Sequence, residues 1–540
     1  MHQINLYKTN SGVEMKVRAA IILDNLALSK WQLDALNEAS DLLEVTTILN
    51  CKNTTTKKRP VKNFLYYLIN AASLKNHLTR KTPYHITNEN VIDFDSEFEG
   101  AWQRIPKDVV QKLKQDNISL VIKFGMNLLR INSHLEGLDI LSFHHGDPSK
   151  YRGRPAGFYE ILNHEKTSGV IVQKLSNKLD AGEILAFAQT KVIGHSYKKT
   201  ALNLYSSSKH LLRKAVNNRT KGNIIPLSKS GKNYTLPSNH IAILFIITTL
   251  TSLIKKVYYG AFIEKKWLVA ISKFTPDFHD HNLIDPSHLT NIPVDHKYTF
   301  YADPFFTNNK ERILLEALDK KSGLGDILEV DRNDLAKQTV LLTGKHYSYP
   351  TTFIHKDKEY LLTEVASHSN QHYSPMEEIE LEAPIKGIED KRIVDATLFQ
   401  HRNHWFLFFG ENQDAHSVLH LYTATSIESE FVKHPNSPIC MSPKASRMAG
   451  RIVSNDDRLY RLGQNNEGEY GESLTISEIL ELSETSYSEK ETGTIKVDQY
   501  KGPHSMDIDQ KRGSILIDYY QETFSIFAGA RRFKALLSKK

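Results

Sequence analysis

The sequence predicts an α/β domain with an open, mostly parallel twisted sheet, followed by an all-β five-bladed propeller. In the first third of the chain, short apolar strands alternate with segments of helical periodicity. In the second half, short strands separated by turns recur at a near-constant spacing, which is typical of a repeat architecture. The predicted boundaries are 1–216 for the α/β domain, 217–265 for a linker with an apolar helix, and 266–540 for the propeller.

The first domain contains a set of apolar runs that alternate with helical patterns, as in parallel βαβ units. Ligands of such sheets bind beyond the carboxyl ends of the strands. The polar stretch "SFHHGDPSKYRGRPAGFYEIL" (142–162) begins at the end of the last run, so a functional site is expected there. The predicted strands are "VRAAIILD" (17–24), "EVTTILN" (44–50), "SLVIKFG" (119–125) and "LDILSFH" (138–144).

The propeller is predicted from five related segments in the second half. They begin near residues 301, 347, 394, 447 and 502, about 46 to 55 residues apart, and a second strand follows each about ten residues later. Five units of three or four strands indicate five blades. A two-sheet sandwich is the alternative, but it does not require equal spacing. The segments are "YADPFF", "YSYPTTF", "VDATLF", "RMAGRIV" and "GPHSMDI".

Composition narrows the range of partners. The net charge of +7 is spread over 540 residues, which tolerates acidic ligands but is no nucleic-acid footprint. Cys51 and Cys440 are too few for a disulfide framework or a cysteine metal site, so no metal is predicted and a reducing compartment is favoured. The first residues lack the pattern of a secretory signal, and we expect a cytoplasmic protein.

One apolar run stands out, "IAILFIITTLTSLI" (241–254), which is followed directly by two lysines. Its roughly 14 residues are too few to span a bilayer comfortably. Two alternatives remain. The favoured one is a helix buried between domains, and the other is peripheral contact with a membrane surface.

The first candidate site centres on His144. A histidine at a strand end suits general acid–base chemistry, because its pKa lies near neutral pH. Asp180, in the tight turn of "KLDAGEIL" (178–185), could orient an imidazole or a water molecule. By themselves, a histidine and an aspartate about 36 residues apart are equally compatible with solvent-exposed turn residues.

The motifs around these residues resemble the formyltransferase family, which includes methionyl-tRNA, glycinamide-ribonucleotide and amino-sugar formyltransferases. That family pattern is Asn-x-His, then Tyr-Arg-Gly, Thr-Gly-Val-Thr and Asp-x-Gly-x-Ile. The likeness covers roughly residues 15–215. The matching positions are His144, Tyr151-Arg152-Gly153, Thr167-Ser168-Gly169-Val170 and Asp180-Ala181-Gly182-Glu183-Ile184.

This resemblance implies a Rossmann-like domain that moves a formyl group from 10-formyltetrahydrofolate to a primary amine. His144 would take the proton of the attacking amine, and Asp180 would orient His144 or a water molecule. The pterin would be held by the strand-end backbone of Phe124, Gly125, Met126 and Asn127.

The sequence departs from the family at Ser142, which occupies the position of the family's asparagine. The asparagine amide stabilises the oxyanion, and loss of one such donor costs about a hundred- to a thousand-fold in rate. His145 and Asp147 are candidates to rebuild this part of the site, and Tyr151 and Arg152 complete the predicted substrate loop. An inactive or repurposed site is the alternative.

The second candidate site is the predicted propeller funnel. Asp303 and Asp395 occupy equivalent positions in the first and third units, which would bring carboxylates together. Glycoside chemistry needs such a pair. The alternative is that these residues cap turns and connect neighbouring blades. The remaining predicted funnel residues are Glu316, Glu364, Arg447, Gln464, His504 and Asp518.

The second half resembles the propeller domain of plant glucosamine inositolphosphorylceramide transferases and, more distantly, five-bladed furanosidases, over about residues 265–525. The second resemblance implies a base at Asp303 and an aspartate that tunes the acid at Asp395. Glycan recognition without hydrolysis is an equal alternative.

Taken together, the sequence predicts an N-formyltransferase of surface-glycan biosynthesis, acting on a nucleotide-linked amino sugar, with a glycan-binding or glycan-processing propeller. The competing hypothesis is a glycan-binding or hydrolase-like protein whose formyltransferase domain is a scaffold. Formylation of initiator tRNA is disfavoured, and no nucleic-acid partner is expected.

Overall fold

The computed structural model describes residues 16–53, 61–84, 90–177, 182–227, 229–366 and 371–538. The chain divides into two compact units, Met1–Thr251 and Ser252–Lys540. The division lies inside the segment 217–265 that the sequence marks as a linker. This segment holds the end of one helix, a short strand and a second long helix.

The first unit is built from helices and strands in alternation. Its helices are α1 (Lys30–Glu38), α2 (Phe64–Ser73), α3 (Lys107–Gln115), α4 (Phe158–Leu162), α5 (Tyr197–Lys221) and α6 (Asn239–Phe262), the last of which continues into the second unit. Its strands are β1 (Val17–Asp24), β2 (Ala27–Ser29), β3 (Leu43–Cys51), β4 (Lys81–Pro83), β5 (Asn90–Phe94), β6 (Glu97–Glu99), β7 (Trp102–Arg104), β8 (Leu120–Lys123), β9 (Leu128–Leu129), β10 (Asp139–His144), β11 (Tyr151–Gly153), β12 (Thr167–Lys174), β13 (Glu183–Lys191) and β14 (Lys232–Tyr234).

A seven-stranded sheet forms the centre of this unit, in the order β13-β12-β10-β8-β1-β3-β5. The strands from β10 to β5 run parallel, β12 runs antiparallel to β10, and β13 runs antiparallel to β12. Ala19 to Leu23 of β1 are buried on both faces, as expected for a strand covered on two sides. The predicted Rossmann-like α/β fold of this part is confirmed.

Local sequence determines where the helices begin and end. Ser29 precedes α1 as its N-cap, and its N–H donates to the Gln32 side chain at 2.8 Å. Ser196 caps α5 by accepting from the N–H of Lys199, and Gly222 ends that helix with a φ of +71°. Glycine is favoured there because a side chain strains a left-handed backbone.

The described part of the second unit consists mainly of strands, and it also contains the end of α6 and the helix α7 (Ala528–Ser538). Its strands are β15 (Ile263–Ser272), β16 (His281–Ile284), β17 (Thr290–Asn291), β18 (Tyr298–Phe306), β19 (Arg312–Asp319), β20 (Gly325–Asp331), β21 (Gln338–Leu342), β22 (Tyr347–His355), β23 (Lys358–Val365), β24 (His372–Pro375), β25 (Ala383–Pro384), β26 (Ile393–His401), β27 (His404–Glu411), β28 (His420–Ala424), β29 (Val432–Lys433), β30 (Arg447–Met448), β31 (Val453–Asn455), β32 (Arg458–Asn465), β33 (Ser473–Leu482), β34 (Tyr487–Val497), β35 (Met506–Asp509) and β36 (Ser514–Phe524).

These strands form sheets of consecutive strands, and each of the five repeated sequence segments contributes to a different sheet. Three sheets are four-stranded meanders, β18-β19-β20-β21, β22-β23-β24-β25 and β26-β27-β28-β29. A larger sheet contains β30 to β34 together with β16. The last, β17-β15-β36-β35, pairs the beginning of the unit with its end. The prediction of a β-rich second half with a regular repeat is confirmed.

The repeat has a shared backbone irregularity. Asp303, Tyr349 and Asp395 have φ values of +48°, +50° and +49°, and each interrupts the pairing of its strand with the next one. A left-handed conformation is costly for residues other than glycine, and most of all for a bulky one such as tyrosine. The left-handed conformation recurs at the same place in three repeats, so the surrounding structure must hold the backbone in it.

The apolar run 241–254 lies in α6, which is longer than the run itself. The favoured prediction of a buried helix was wrong, because Ala242 and Phe245 are its only buried residues within the described chain. By length and composition alone α6 could cross a membrane, and 11% of its most apolar window is buried.

Candidate functional sites

The predicted folate loop, Phe124 to Asn127, lies at the carboxyl end of the parallel strands. The N–H of Met126 donates to the Asp24 carboxylate at 2.9 Å, and that of Asn127 donates to the Gln103 side chain at 2.7 Å. A Cβ on Gly125 would lie 2.6 Å from the backbone carbon of Leu23, so only glycine fits. With these N–H groups engaged, the loop would contact a ligand through its carbonyl oxygens, which are suited to the N–H groups of a pterin.

His144 is the last residue of β10, and it is buried beside the turn that follows. Its Nε2 lies 3.2 Å from the carbonyl oxygen of Tyr151. Because a carbonyl oxygen only accepts, Nε2 is the donor in this contact. A Cβ on Gly146 would lie 2.8 Å from Nε2, so the turn needs glycine to admit the imidazole.

The strand pairing places a residue that the sequence did not single out next to Ser142. Ser142 on β10 is directly opposite Gln173 on β12, and both side chains are buried. Directly opposed residues of an antiparallel pair point to the same face, as do positions 142 and 144 of one strand. Ser142, His144 and Gln173 therefore share one face of the sheet. The carboxamide of Gln173 also accepts from the N–H of Gly182 at 3.0 Å.

His145 faces the opposite side of the strand from His144. Its Nε2 is 3.0 Å from the Ser208 hydroxyl, and its ring lies edge-on to Trp31 and Tyr205. Burial, reinforced by the charge of His144, lowers the pKa of His145 to about 3. His145 is thus a neutral histidine of the apolar interior. The sequence suggested that His145 could help to rebuild the site around Ser142. The structure does not bring its imidazole there, because adjacent strand residues alternate between faces.

The rest of the predicted substrate loop forms a hydrogen-bonded turn. Asp147 accepts from the N–H and the hydroxyl of Ser149, at 2.8 and 2.6 Å. The Tyr151 hydroxyl donates to Glu165 at 3.0 Å, and burial raises the pKa of Tyr151. Arg152 donates to the Gly231 carbonyl at 2.8 Å. These side chains shape the turn, whereas Asp180, the predicted partner of His144, lies outside the described residues.

A small cleft opens at this turn, and its volume of about 10 Å³ matches roughly one water molecule. Its lining includes a carboxyl group that was not predicted from the sequence, that of Glu160 on α4. Glu160 is fully buried and accepts from the Ser168 hydroxyl at 2.7 Å, and burial raises its pKa to about 7. The signal in the sequence was a lone glutamate in the apolar run "FYEIL" (158–162). The cleft is lined by His144, His145, Tyr151, Arg152, Gly153, Arg154, Pro155, Tyr159, Glu160 and Tyr234.

In the second unit, Asp518 of β36 connects the first repeated segment to the last. Its carboxylate accepts from the N–H groups of Asp303, His504 and Ser505, at 2.8 to 3.0 Å. His504 Nδ1 lies 2.7 Å from the same carboxylate, and Nε2 is 3.6 Å from Asp303 Oδ1. Within the described residues, Asp303 Oδ1 is buried without a hydrogen bond.

Asp395 anchors a second set of contacts. Arg447 forms a bidentate salt bridge with it through Nε and Nη2, and Gln464 donates to its carboxylate at 3.2 Å. Its N–H donates to Glu364 at 3.2 Å. Tyr470 links the two sets, since its hydroxyl is 2.9 Å from His504 Nε2 and its ring lies 5.3 Å beneath the Arg447 guanidinium. Tyr470 was not among the residues predicted from the sequence.

Burial controls the protonation of this cluster. It raises the pKa of Asp303 to about 7 against the opposing charge of His504, and it raises that of Glu364 to about 7 with a contribution from Asp395. Burial also raises the pKa of Glu316, with the charge of Asp303 acting in the same direction. Burial alone would lower the pKa of His504, but the charges of Asp518 and Asp303 outweigh it and raise the value to about 9.

The same three groups, Asp303, His504 and Asp518, have ligand atoms within 4.8 Å of one another, as a metal site would require. Both nitrogens of His504 are already hydrogen-bonded, and its raised pKa favours the imidazolium, which cannot bind a metal. The arrangement fits a salt-bridged triad better than a metal site.

Comparison with known proteins gives different matches for the two halves. Residues 290–512 match the family model "Glucosamine inositolphosphorylceramide transferase 1, N-terminal". Glucosamine inositolphosphorylceramide transferase 1 from Oryza sativa subsp. japonica is 26% identical over 151 residues, and so is that from subsp. indica. Each match covers 27% of this chain and 20% of the relative, so it spans about a fifth of the length of these curated relatives.

Solved structures that match include formyltransferases and a deformylase. Glycinamide ribonucleotide transformylase 1 from Symbiobacterium toebii is 14% identical with a TM-score of 0.27, over 41% of this chain and 94% of its own. Phosphoribosylglycinamide formyltransferase from Anaplasma phagocytophilum is 13% identical with a TM-score of 0.28, over 41% of this chain and 98% of its own. The formyltetrahydrofolate deformylase from Pseudomonas putida KT2440 is 14% identical with a TM-score of 0.26, over 40% of this chain and 69% of its own. Similarity at this level does not identify an activity.

The buried carboxyl of Asp303 predicts a pH-dependent stability. Its pKa is raised from 3.8 to about 7 in the fold, so the unfolded chain ionises first and stability falls as the pH rises between these values. We expect Asp303→Asn to reduce that fall by on the order of 1 kcal/mol or more. Scanning calorimetry of the full chain at several pH values measures the pH dependence of the free energy of unfolding. Asp457→Asn, an exposed aspartate that also has a positive φ, is the matched control and should leave the pH dependence unchanged.

Proposed function

We propose that the first unit transfers a formyl group from 10-formyltetrahydrofolate to the amine of an amino sugar, carried by a nucleotide, for the assembly of a surface glycan. The observation that carries this proposal is the environment of His144. This histidine ends a parallel strand, near the predicted folate loop, and its Nε2 lies 3.2 Å from the Tyr151 carbonyl oxygen. We assign the role of proton acceptor to its other ring nitrogen, Nδ1. A base positioned at a strand end is what deprotonation of an attacking amine requires.

In the proposed reaction, the amine nitrogen of the sugar attacks the formyl carbon, and a C–N bond forms. The amine proton passes to Nδ1 of His144 while the formyl oxygen becomes an oxyanion. Collapse of the tetrahedral intermediate breaks the bond between the formyl carbon and N10 of the folate, and N10 receives the proton from His144. The products are the N-formylated sugar and tetrahydrofolate.

The oxyanion needs a hydrogen-bond donor, and Ser142 does not supply the amide of the family's asparagine. The amide of Gln173 is a candidate to replace the asparagine amide. Gln173 is on the neighbouring strand, directly opposite Ser142 and on the same face as His144. Its Oε1 is occupied by the N–H of Gly182, which orients the amide. We assign the donor role to the Gln173 amide, with the Ser142 hydroxyl beside it.

For the second unit, we propose a five-bladed propeller that binds the glycan. The five successive sheets and the pairing of β15 with β36, which joins the two ends of the unit, support this architecture. The cluster of Asp303, Asp395 and their partners supplies carboxylates and donors for sugar hydroxyls. Its partly exposed members include Glu364, Arg447 and Tyr470. The matching relatives are named for glucosamine, an amino sugar, which supports an amino-sugar acceptor.

A second candidate function rests on Ser142. Without the family's amide, the first unit could serve as a scaffold for a glycan-binding or hydrolase-like second unit. Glu364 and Glu316, whose pKa values are raised, would then be the candidates for an acid. The two functions make opposite predictions for formyl transfer.

Formyl transfer is tested by incubating the full chain with 10-formyltetrahydrofolate and a panel of nucleotide-linked amino sugars. Mass spectrometry would detect the gain of one formyl group. We expect His144→Ala and Asp180→Ala to lower turnover by about a hundred-fold or more, because the proton acceptor or its orienting group is removed. His134→Ala, at an exposed histidine of the same unit, is the control. Full turnover in His144→Ala would contradict the assignment, and absence of turnover with any sugar would favour the scaffold.

The donor assignment has its own prediction. Gln173→Leu should lower the rate of formyl transfer by about a hundred- to a thousand-fold, the effect of losing one oxyanion donor. Ser142→Asn restores the family's amide, so the same Gln173 change should cost much less in that background. Gln189→Leu, on the neighbouring strand, is the control. Equal losses in both backgrounds would show that positions 142 and 173 do not share the oxyanion.

Glycan binding by the second unit is tested with the pair Asp395→Asn and Arg447→Met. Changing both partners avoids leaving a buried charge unpaired, so the fold should persist. We expect binding to an array of amino-sugar oligosaccharides to fall about ten-fold or more, with formyl transfer unchanged. The control pair, Arg312→Met and Glu329→Gln, removes an exposed salt bridge of 2.9 Å. Unchanged glycan binding in the Asp395 variant would exclude this cluster from recognition.

A further inference from the structure

Helix α6 exposes an apolar face that no described part of the protein covers. Its inner side holds the buried residues Ala242 and Phe245. The exposed residues recur every three or four positions, so they form one stripe along the helix. Exposed apolar surfaces of this extent mark a site of interaction. The stripe and its flanks contain Ile243, Leu244, Ile246, Ile247, Leu250, Leu253, Ile254, Val257 and Tyr258, which are 39% to 66% exposed.

The charges around this stripe have one sign. The segment Asn239–Phe262 contains no aspartate or glutamate, and its two charged residues, Lys255 and Lys256, are exposed near its end. An apolar stripe flanked by lysines is the pattern of a helix that lies at the surface of an anionic bilayer.

Helix α7 extends this surface within the second unit. Arg532 donates to the carbonyls of Gly260 and Ile263, at 2.6 and 2.5 Å, which fixes α7 against the end of α6. Phe262 stacks on Phe524 with ring centroids 5.8 Å apart. The chain then ends in "FKALLSKK" (533–540), with three lysines. Four large apolar residues beside this junction are 60% to 65% exposed, Phe524, Ile526, Phe527 and Phe533.

The fixed ends of α6 distinguish a helix lying on a membrane from one crossing it. At its start, Asn239 donates to the Val61 carbonyl, and Phe245 stacks on Phe158 at 4.0 Å. At its end, the contacts of Arg532 hold the last turn. The exposed part from 243 to 258 is about 24 Å long at 1.5 Å per residue, shorter than a hydrocarbon core of about 30 Å.

We propose that the exposed face of α6, together with the exposed residues of 524–533, docks the protein peripherally on an anionic lipid bilayer. The apolar stripe would enter the boundary between headgroups and acyl chains, with Lys255 and Lys256 at the level of the lipid phosphates. None of its residues belongs to either candidate site. It would hold the protein at a membrane surface.

The experiment uses the full chain and vesicle flotation. We expect the protein to float with vesicles containing phosphatidylglycerol and to bind those of phosphatidylcholine alone at least about ten-fold more weakly. Ile247→Glu with Leu250→Glu should lower binding to the anionic vesicles about ten-fold or more, since charged side chains would face the acyl region. Lys255→Glu with Lys256→Glu should remove the preference for anionic lipid.

Leu480→Glu is the matched control, because Leu480 is a 58% exposed leucine of the second unit outside this surface. It should bind vesicles as the unchanged protein does, and thermal melts of all variants should agree because the altered residues are exposed. Failure of the unchanged protein to float would overturn the proposal. So would a dimer in light scattering that Ile247→Glu with Leu250→Glu dissociates, which would make α6 a protein interface. Resistance of the bound protein to alkaline carbonate would instead identify a spanning helix.

Discussion

The second unit depends on one buried carboxylate, Asp518. It lies in the strand that closes the last sheet, is fully shielded from solvent, and accepts five hydrogen bonds from Asp303, His504 and Ser505. A carboxylate in such a place is stable only when its charge is compensated and its lone pairs are filled. The imidazolium of His504 supplies the charge, and the first and last repeated segments supply the donors. These contacts thereby join the first repeated segment to the last.

In the first unit, the environment of each residue at the end of β10 depends on which face of the strand it occupies. Ser142 and His144 point to one side of the sheet, where Gln173 joins them, whereas Phe143 and His145 pack among Trp31 and its aromatic neighbours. Two adjacent histidines therefore have unlike environments. His144 lies beside the Tyr151 carbonyl, whereas His145 is held neutral by burial. A shift of one residue in the register of β10 would exchange their places.

Much of the architecture was predictable because it follows from local patterns. Apolar runs bounded by polar residues located β1, β3, β8 and β10 to within a few residues, and equal spacing revealed the repeat of the second half. The resemblance of short motifs located the candidate site around His144. The environment of α6 was not predictable, because a run of apolar residues has the same pattern whether other residues cover it or leave it exposed.

The sequence by itself determined the α/β character of the first unit, the β-rich repeat of the second, and the identity of the ionisable residues at the strand ends. Only the tertiary structure decided which of these residues meet. It paired Gln173 with Ser142 across two strands, turned His145 away from the site, and placed Tyr470 between His504 and Arg447. The physical reason is that periodicity specifies the face of a single strand, whereas a side chain's partners, and with them its pKa, depend on register and on contacts between residues far apart in the chain.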